Sequence, residues 1–256
     1  PSGFPDKRRD HSNRGQEASP SASLFPVRLT IFMPREVQDH WFKEAKRQGY
    51  RSRAAFKLTE IDDKRKILRK GRRILDLGCA PGSWMQVAAQ RVGPGGLVVG
   101  IDLQPVTGNI QGSEVHIVQG DVANMDDAML QQLGLDPQVP FDVILSDMAP
   151  ATTGSKDTDH YGSMNLCEQV LDMAGSRLCV DGDLVIKTFE GPGSKDLVDR
   201  MKDMFETVRP AKPKASRSVS REMFLVGLKL KPGVVTESRP SAPKGGPPPL
   251  PGGWGR

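Results

Sequence analysis

Cysteine is scarce in this chain, aromatic residues are few and no long apolar run occurs, and each scarcity removes a class of protein. Three cysteines, Cys79, Cys167 and Cys179, are an odd number with no metal-type spacing. That argues against a disulfide scaffold or a zinc site, so no metal is expected, and it points to a reducing compartment. No stretch reaches eighteen consecutive apolar residues, so no transmembrane helix and no membrane partner are expected. A length of 256 residues is enough for one α/β domain with extensions.

Charge is present but unevenly placed. Residues 43–73 hold 13 Lys and Arg against 4 Asp and Glu, and residues 209–221 hold 5 basic residues and no acidic one. Between them, residues 74–208 hold 7 basic against 20 acidic residues. A merely solubilising surface mixes its signs. Two separate basic blocks point instead to a polyanion seat, with nucleic acid as the leading partner class. The only aromatic residues near the chemistry in these blocks are Tyr50 and Phe56, so stacking on unpaired bases is expected to be limited.

Residues 1–34 are rich in Pro, Ser, Arg and Gly and read as a disordered basic extension. An Arg-rich, Ser-containing leader suits an organelle presequence, against which stand Asp6, Asp10 and Glu17. The expected location is cytoplasmic, or organellar if this segment is a presequence. Residues 231–256 form a Pro/Gly-rich tail that cannot build a core. The part between, 35–230, alternates two kinds of signal. Apolar runs at Ile74–Leu77, Leu97–Ile101, Val115–Val118, Val143–Leu145, Leu184–Ile186 and Met223–Leu230 predict strands. Helical patterns lie between them at Trp84–Val92, Met125–Leu133, Leu166–Leu178 and Leu197–Phe205. Such alternation predicts a parallel sheet with helices on both faces, where ligands bind beyond the carboxyl ends of the strands.

The first predicted strand runs into Asp76-Leu77-Gly78-Cys79-Ala80-Pro81-Gly82-Ser83-Trp84. A strand, a glycine loop and a helix bring backbone close to a nucleoside. The spacing is Gly-x-x-x-Gly, not the dinucleotide pattern, and Pro81 removes an N–H where a pyrophosphate needs donors. S-adenosylmethionine (SAM) carries no phosphate and loses nothing by this. Asp102, at the end of the second strand, is placed to accept both ribose hydroxyls, and Asp121, ending the third, to meet the adenine amino group.

Four further residues fall at the tips or edges of predicted elements: Lys57, Asp147, Lys187 and Glu222. Enzymes that methylate a base amino group usually place an aromatic ring shortly after the strand that ends near Asp147. Here residues 148–154 contain none. Methylation at pyrimidine C5 needs an exposed cysteine nucleophile, and the only cysteine near a strand end, Cys79, sits in the cofactor loop. A hydroxyl acceptor remains. A free lysine, with a pKa of about 10.4, is too basic to take a proton at neutral pH. A second ammonium or partial burial favours the neutral amine. Lys57 is the expected neighbour of Lys187, with Asp147 and Glu222 orienting the pair and balancing its charge.

These stretches, with Gly49–Leu58, Ser146–Pro150, Val185–Phe189 and Ser220–Glu222 in the same order, resemble the FtsJ/RrmJ family of RNA ribose 2′-O-methyltransferases. The resemblance covers roughly residues 37–230. It implies a Rossmann-like SAM-dependent methyltransferase fold, α/β, with a mostly parallel seven-stranded sheet and helices on both faces. It further implies that Lys57, Asp147, Lys187 and Glu222 form a catalytic tetrad in which Lys187 accepts the proton. Gly82, Trp84, Asp102, Asp121 and Asp147 correspond to the family's SAM contacts. Within the family the chain looks closest to the bacterial RlmE-type branch, which implies a uridine in the A-loop of large-subunit ribosomal RNA as target. Cys79 and Ser83 stand where family members often carry Ala and Gly. Arg51, Arg53 and Lys57 are expected on one helical segment beside the tetrad, where the basic blocks hold phosphates. The chain is expected to act as a monomer. Open alternatives are transfer RNA or a messenger cap as substrate, an RNA-binding assembly factor with a vestigial tetrad, and a small-molecule O-methyltransferase.

Overall fold

A computed structural model describes residues 40–150, 155–216 and 221–234. The expected N-terminal extension, 1–34, and all but four residues of the expected tail lie outside them. Seven strands form one sheet in the order β3-β2-β1-β4-β5-β7-β6. They are β1 (Arg73–Leu77), β2 (Leu97–Asp102), β3 (Glu114–Gln119), β4 (Phe141–Ser146), β5 (Leu178–Phe189), β6 (Phe205–Ala211) and β7 (Glu222–Leu230). β7 runs antiparallel to both its neighbours, whereas β1 to β5 pair in parallel. The helices are α1 (His40–Arg47), α2 (Ala54–Arg65), α3 (Ser83–Val92), α4 (Asp127–Gln132), α5 (Lys156–Arg177) and α6 (Ser194–Met204).

Successive side chains of a strand face opposite sides of its sheet, so apolar runs here bury both faces. Leu75 and Leu77 of β1, Ile144 of β4 and Ile186 of β5 pack with α4, α5 and α6. Ile74, Val143, Leu145 and Val185 face the other way, with α2 and α3. Each such side chain, fully buried, contributes about 1.5–3 kcal/mol. Asp76 breaks the apolar run of β1 on the α2/α3 face, and it is completely buried.

Every predicted strand is present, within one to six residues at its ends. β6 is the strand the apolar runs do not show. Only Phe205 of it is buried, and Arg209 and Pro210 stand exposed on the sheet's last strand. An edge strand tolerates both, because its outer N–H groups meet no partner strand. α5 begins ten residues before its predicted start, where Ser155 caps it by accepting from Thr158 N. Past β7 the fold continues into residues 231–234: Lys231 N donates to Met204 O at 2.9 Å, and Val234 packs against the core.

The lower edge of the sheet is tied by one buried ion pair. Asp183 on β5 accepts from Arg72 Nη1 at 2.7 Å and from Lys229 N at 3.1 Å, and Arg72 also donates to Ile67 O. Removing one partner strands a buried charge, which costs far more than a surface pair. Asp183→Ala is expected to lower unfolding free energy by about 3 kcal/mol in urea denaturation. A loss under about 1 kcal/mol would rank the pair with exposed ones.

Candidate active site

The loop after β1 is held by backbone and by two side chains. Gly78 N and Cys79 N both donate to Ile101 O, at 2.9 and 3.2 Å. Gly78 has φ +75°, and a Cβ there would stand 2.3 Å from Met148 Cγ, so only glycine lets the loop lie against the segment after β4. Asp102 Oδ2 accepts from Ala80 N at 2.9 Å while Oδ1 accepts from Gln104 N at 2.8 Å. The expected ribose receptor is therefore also a strut that fixes the loop, with lone pairs to spare on both oxygens. Arg51 is the second strut. Its guanidinium donates to Pro81 O and Gly108 O, at 2.9 and 3.0 Å.

This corrects one expectation. Arg51 and Arg53 precede α2 instead of lying on it with Lys57, and Arg51 spends its donors on backbone carbonyls, not on an open surface. Its backbone N–H is fixed too, by Gln86 Oε1 at 2.9 Å.

A cavity of about 580 Å³ opens above the carboxyl ends of β1, β2 and β4, within the size range of cofactor clefts. Gly78, Asp102, Asp121, Asp147 and Met148 line it, so three of the expected cofactor residues share one wall system. Asp121 follows β3 by two residues and caps a short 3-10 turn, accepting from Ala123 N at 3.0 Å. Trp84 belongs to a smaller cavity of about 140 Å³, together with Asp76, Cys79, Ser83 and Asp147. Its ring is buried, stacked at a tilt on Phe224, and its Nε1 donates to Ala54 O at 2.8 Å. Gly82, with φ +99°, lines neither cavity; a Cβ there would stand 2.7 Å from Arg51 Nη1.

Lys57, Asp147, Lys187 and Glu222 gather where β4, β5 and β7 end or begin. Ser146 sits opposite Ile186 in the β4/β5 register, and Phe189 opposite Glu222 in the β5/β7 register. Lys187 Nζ lies 2.9 Å from Asp147 Oδ1 and donates to Asp147 O. The carboxylate contact has ion-pair distance without hydrogen-bond alignment, since Oδ1 has no hydrogen-bond partner among the described residues. Lys57 Nζ lies 2.7 Å from Glu222 Oε1 and 5.6 Å from the centre of the Phe224 ring. Both lysine side chains are only 9% exposed. Ser216 Oγ donates to Glu222 Oε1 at 2.9 Å. Burial pushes the Glu222 carboxyl up, but the charge and hydrogen bond of Lys57, the Ser216 hydroxyl and the charge of Lys187 outweigh it and hold the group below its ordinary value.

Two nearby groups bear on the chemistry. Cys79 is 4% exposed, and burial, then the charges of Asp76 and Asp102, push its thiol far up. It is no nucleophile at neutral pH. Asp76 is fully buried with neither oxygen hydrogen-bonded among the described residues; burial first, then Asp147 and Asp102, drive its carboxyl well above the ordinary range. Its place in the loop was plain in the sequence, but its isolation appears only when the neighbours are placed around it.

Residues 50–230 match the FtsJ-like methyltransferase family. The chain belongs to that family. A protein of Syntrophobacter fumaroxidans named ribosomal RNA large subunit methyltransferase E is 45% identical over 78% of this chain and 99% of its own length. A protein of the same name from Bdellovibrio bacteriovorus is 42% identical over 78% of this chain and 100% of its own length. Among solved structures, a ribosomal RNA methyltransferase from Plasmodium falciparum superposes with a TM-score of 0.61 at 32% identity, covering 71% of this chain and 98% of that one. As an FtsJ-like methyltransferase the chain carries the seven-stranded α/β fold that its sequence predicts. No helix of the described residues is long and apolar enough to cross a membrane.

The Lys57–Glu222 pair gives a pH signature. Because the folded-state pKa of Glu222 is depressed, its stabilisation is present above the ordinary glutamate pKa of about 4.3. It is lost as pH falls through the lower folded value. Wild-type protein is therefore expected to be more stable than Glu222→Gln at neutral pH, with the difference vanishing on acidification. A difference that does not shrink at all as the pH is lowered below the ordinary glutamate range would show that Glu222 stabilises by packing, not by charge.

Proposed function

We propose that this methyltransferase moves a methyl group from S-adenosylmethionine to a ribose 2′-hydroxyl of large-subunit ribosomal RNA, at a uridine of the A-loop. The observation that carries the reading is the pair of buried lysine–carboxylate contacts beside a nucleoside-sized cavity, with no cysteine able to act as nucleophile. A hydroxyl acceptor needs its proton taken and its oxygen aimed: a buried lysine with a second lysine nearby is the expected base, and the carboxylates orient the pair.

The cavity suits the donor. Asp102 and Asp121 offer acceptors for hydroxyl and amino groups, while Pro81 and the glycine spacing supply no phosphate cradle. S-adenosylmethionine, when bound, supplies an electrophilic methyl on a leaving group that departs unaided. Lys187, held by Asp147, receives the proton of the attacking hydroxyl. Lys57 and Glu222, near enough for the charge of Lys187 to act on the Glu222 carboxyl, fix the ribose and the electrostatics of the amine. Only RNA offers the 2′-hydroxyl. The relatives' names supply the large ribosomal subunit, and the basic stretches around α2 and after β6 supply sequence-independent hold on phosphates.

Two outcomes are expected from radiolabelled transfer to unmodified large ribosomal subunits, with transfer RNA in parallel and the labelled position mapped. Lys187→Ala should lower turnover by about 100-fold or more while cofactor affinity stays within a few-fold of wild type. Loss of cofactor binding instead would assign Lys187 to the donor and not to the acceptor. Transfer at limiting RNA should fall steeply and log-linearly with added salt; a flat response would remove the phosphate seat. Label in transfer RNA alone would keep the chemistry and replace the substrate.

A further inference from the structure

Residues 64–73, from the last turn of α2 to the start of β1, hold seven Lys and Arg and no Asp or Glu. Two of the seven have partners that explain them: Lys64 pairs with Glu60, and Arg72 with Asp183. Lys66 reaches Asp63 only at 4.0 Å, and Asp63 already takes Arg91 at 2.8 Å. Arg65, Arg69, Lys70 and Arg73 have no carboxylate within ion-pair distance among the described residues. Exposed cations elsewhere do find one, as Arg47 finds Glu44, Lys202 finds Asp199 and Lys229 finds Glu206.

Helix ends account for part of this surplus. α2 stops at Arg65 and α3 at Val92, and Gly71 N donates to Val92 O at 2.9 Å. A Cβ on Gly93 would stand 2.8 Å from Lys70 Nζ, so that lysine lies over the end of α3. A helix C-terminus carries about half a negative charge, so the two together answer about one cation. Most of the five remain unanswered on one face. That face lies at the far end of the sheet from the chemistry. Lys66 follows Lys57 by nine residues, about 13 Å along a helix axis. Arg73 opens β1, and the cofactor loop begins after four further residues, again about 13 Å along a strand. Between the two ends, Arg65 and Lys212 border a cavity of about 140 Å³ beside α2.

We infer that the connection between α2 and β1 is a second RNA-holding surface, which takes the phosphates of a double-helical segment flanking the methylated nucleotide; the inference rests on RNA being the substrate. Residues 64–73 contain no aromatic ring, so this face offers unpaired bases nothing to stack on. Lysines and arginines spread over a connection hold a phosphate backbone without reading its sequence, and a double helix of RNA is gripped mainly through its backbone and shape. One end of the protein thus takes the nucleotide and the other takes the helix that carries it. Tight binding then requires RNA that extends beyond the target loop.

Equilibrium binding of the full chain to two naked RNAs tests this without methyl transfer. One is the target loop as a single-stranded oligonucleotide, and the other is the same loop closed by a helix of about 16 base pairs. Wild-type protein is expected to hold the helical RNA about 10-fold more tightly or better. The double variant Arg69→Gln/Lys70→Gln should lose most of that preference, and its plot of log affinity against log salt for the helical RNA should be shallower by about 2. An unchanged thermal midpoint shows that the variant is folded. Lys202→Gln/Lys231→Gln removes the same charge beside α6 and should keep the preference. A preference that survives Arg69→Gln/Lys70→Gln, or that falls equally in the α6-side variant, overturns the proposal. A defect seen with assembled large subunits but not with naked RNA also overturns it, and assigns the face to a ribosomal protein. Binding of neither RNA by wild-type protein would overturn the RNA reading itself, and this inference with it.

Discussion

Because β7 runs antiparallel to β5, its first residue and not its last arrives at the functional end of the sheet. Glu222 opens β7 opposite Phe189, two positions beyond Lys187 on β5. A parallel seventh strand would deliver Glu222 to the opposite edge, some nine residues away along the strand direction. Lys57 would then be a buried ammonium without a carboxylate, a state that burial disfavours strongly. The reversal of one strand thus decides whether two lysines are tolerable in the same corner of the fold.

That corner is built from parts with separate jobs. β1, β2 and β4 end together and leave the cleft; Gly78, Asp102 and Arg51 shape its floor from below and behind. β5 and β7 carry Lys187 and Glu222, the groups proposed to handle the proton. α2 contributes Lys57 from a helix whose own position depends on the buried carboxylate of Asp62, which accepts from Leu68 N at 2.8 Å. The segment after β6 crosses α2, with Lys214 N donating to Glu60 at 2.7 Å and Ser216 to Glu222 at 2.9 Å. The basic stretch is therefore tied to the site by hydrogen bonds from uncharged donors to two carboxylates.

Much of this was legible in the sequence, and the exceptions share a cause. Apolar runs mark strands buried on both faces, so six of the seven stood out, whereas β6 lies at an edge and buries little beyond Phe205. The polar residues at strand ends were visible because a buried parallel sheet has few reasons to end in Lys or Asp. What a sequence does not show is which partner a side chain finds. Arg51 was read as a surface cation and is a brace between Pro81 and Gly108. Trp84, read through resemblance as a cofactor contact, lines the smaller cavity and is also braced on Ala54 and Phe224, which the sequence does not show. Asp76 sat in plain view inside an apolar run, yet its lack of donors depends on three-dimensional neighbours from β2, β4 and α3.

The place of β7 between β5 and β6 makes it a strand whose loss would undo several things at once. Without it the sheet would stop at β5 with an open edge, because β6 pairs only with β7. Glu222 arrives on the same strand. A chain cut before it would therefore expose the edge of β5 and leave Lys57 without its carboxylate.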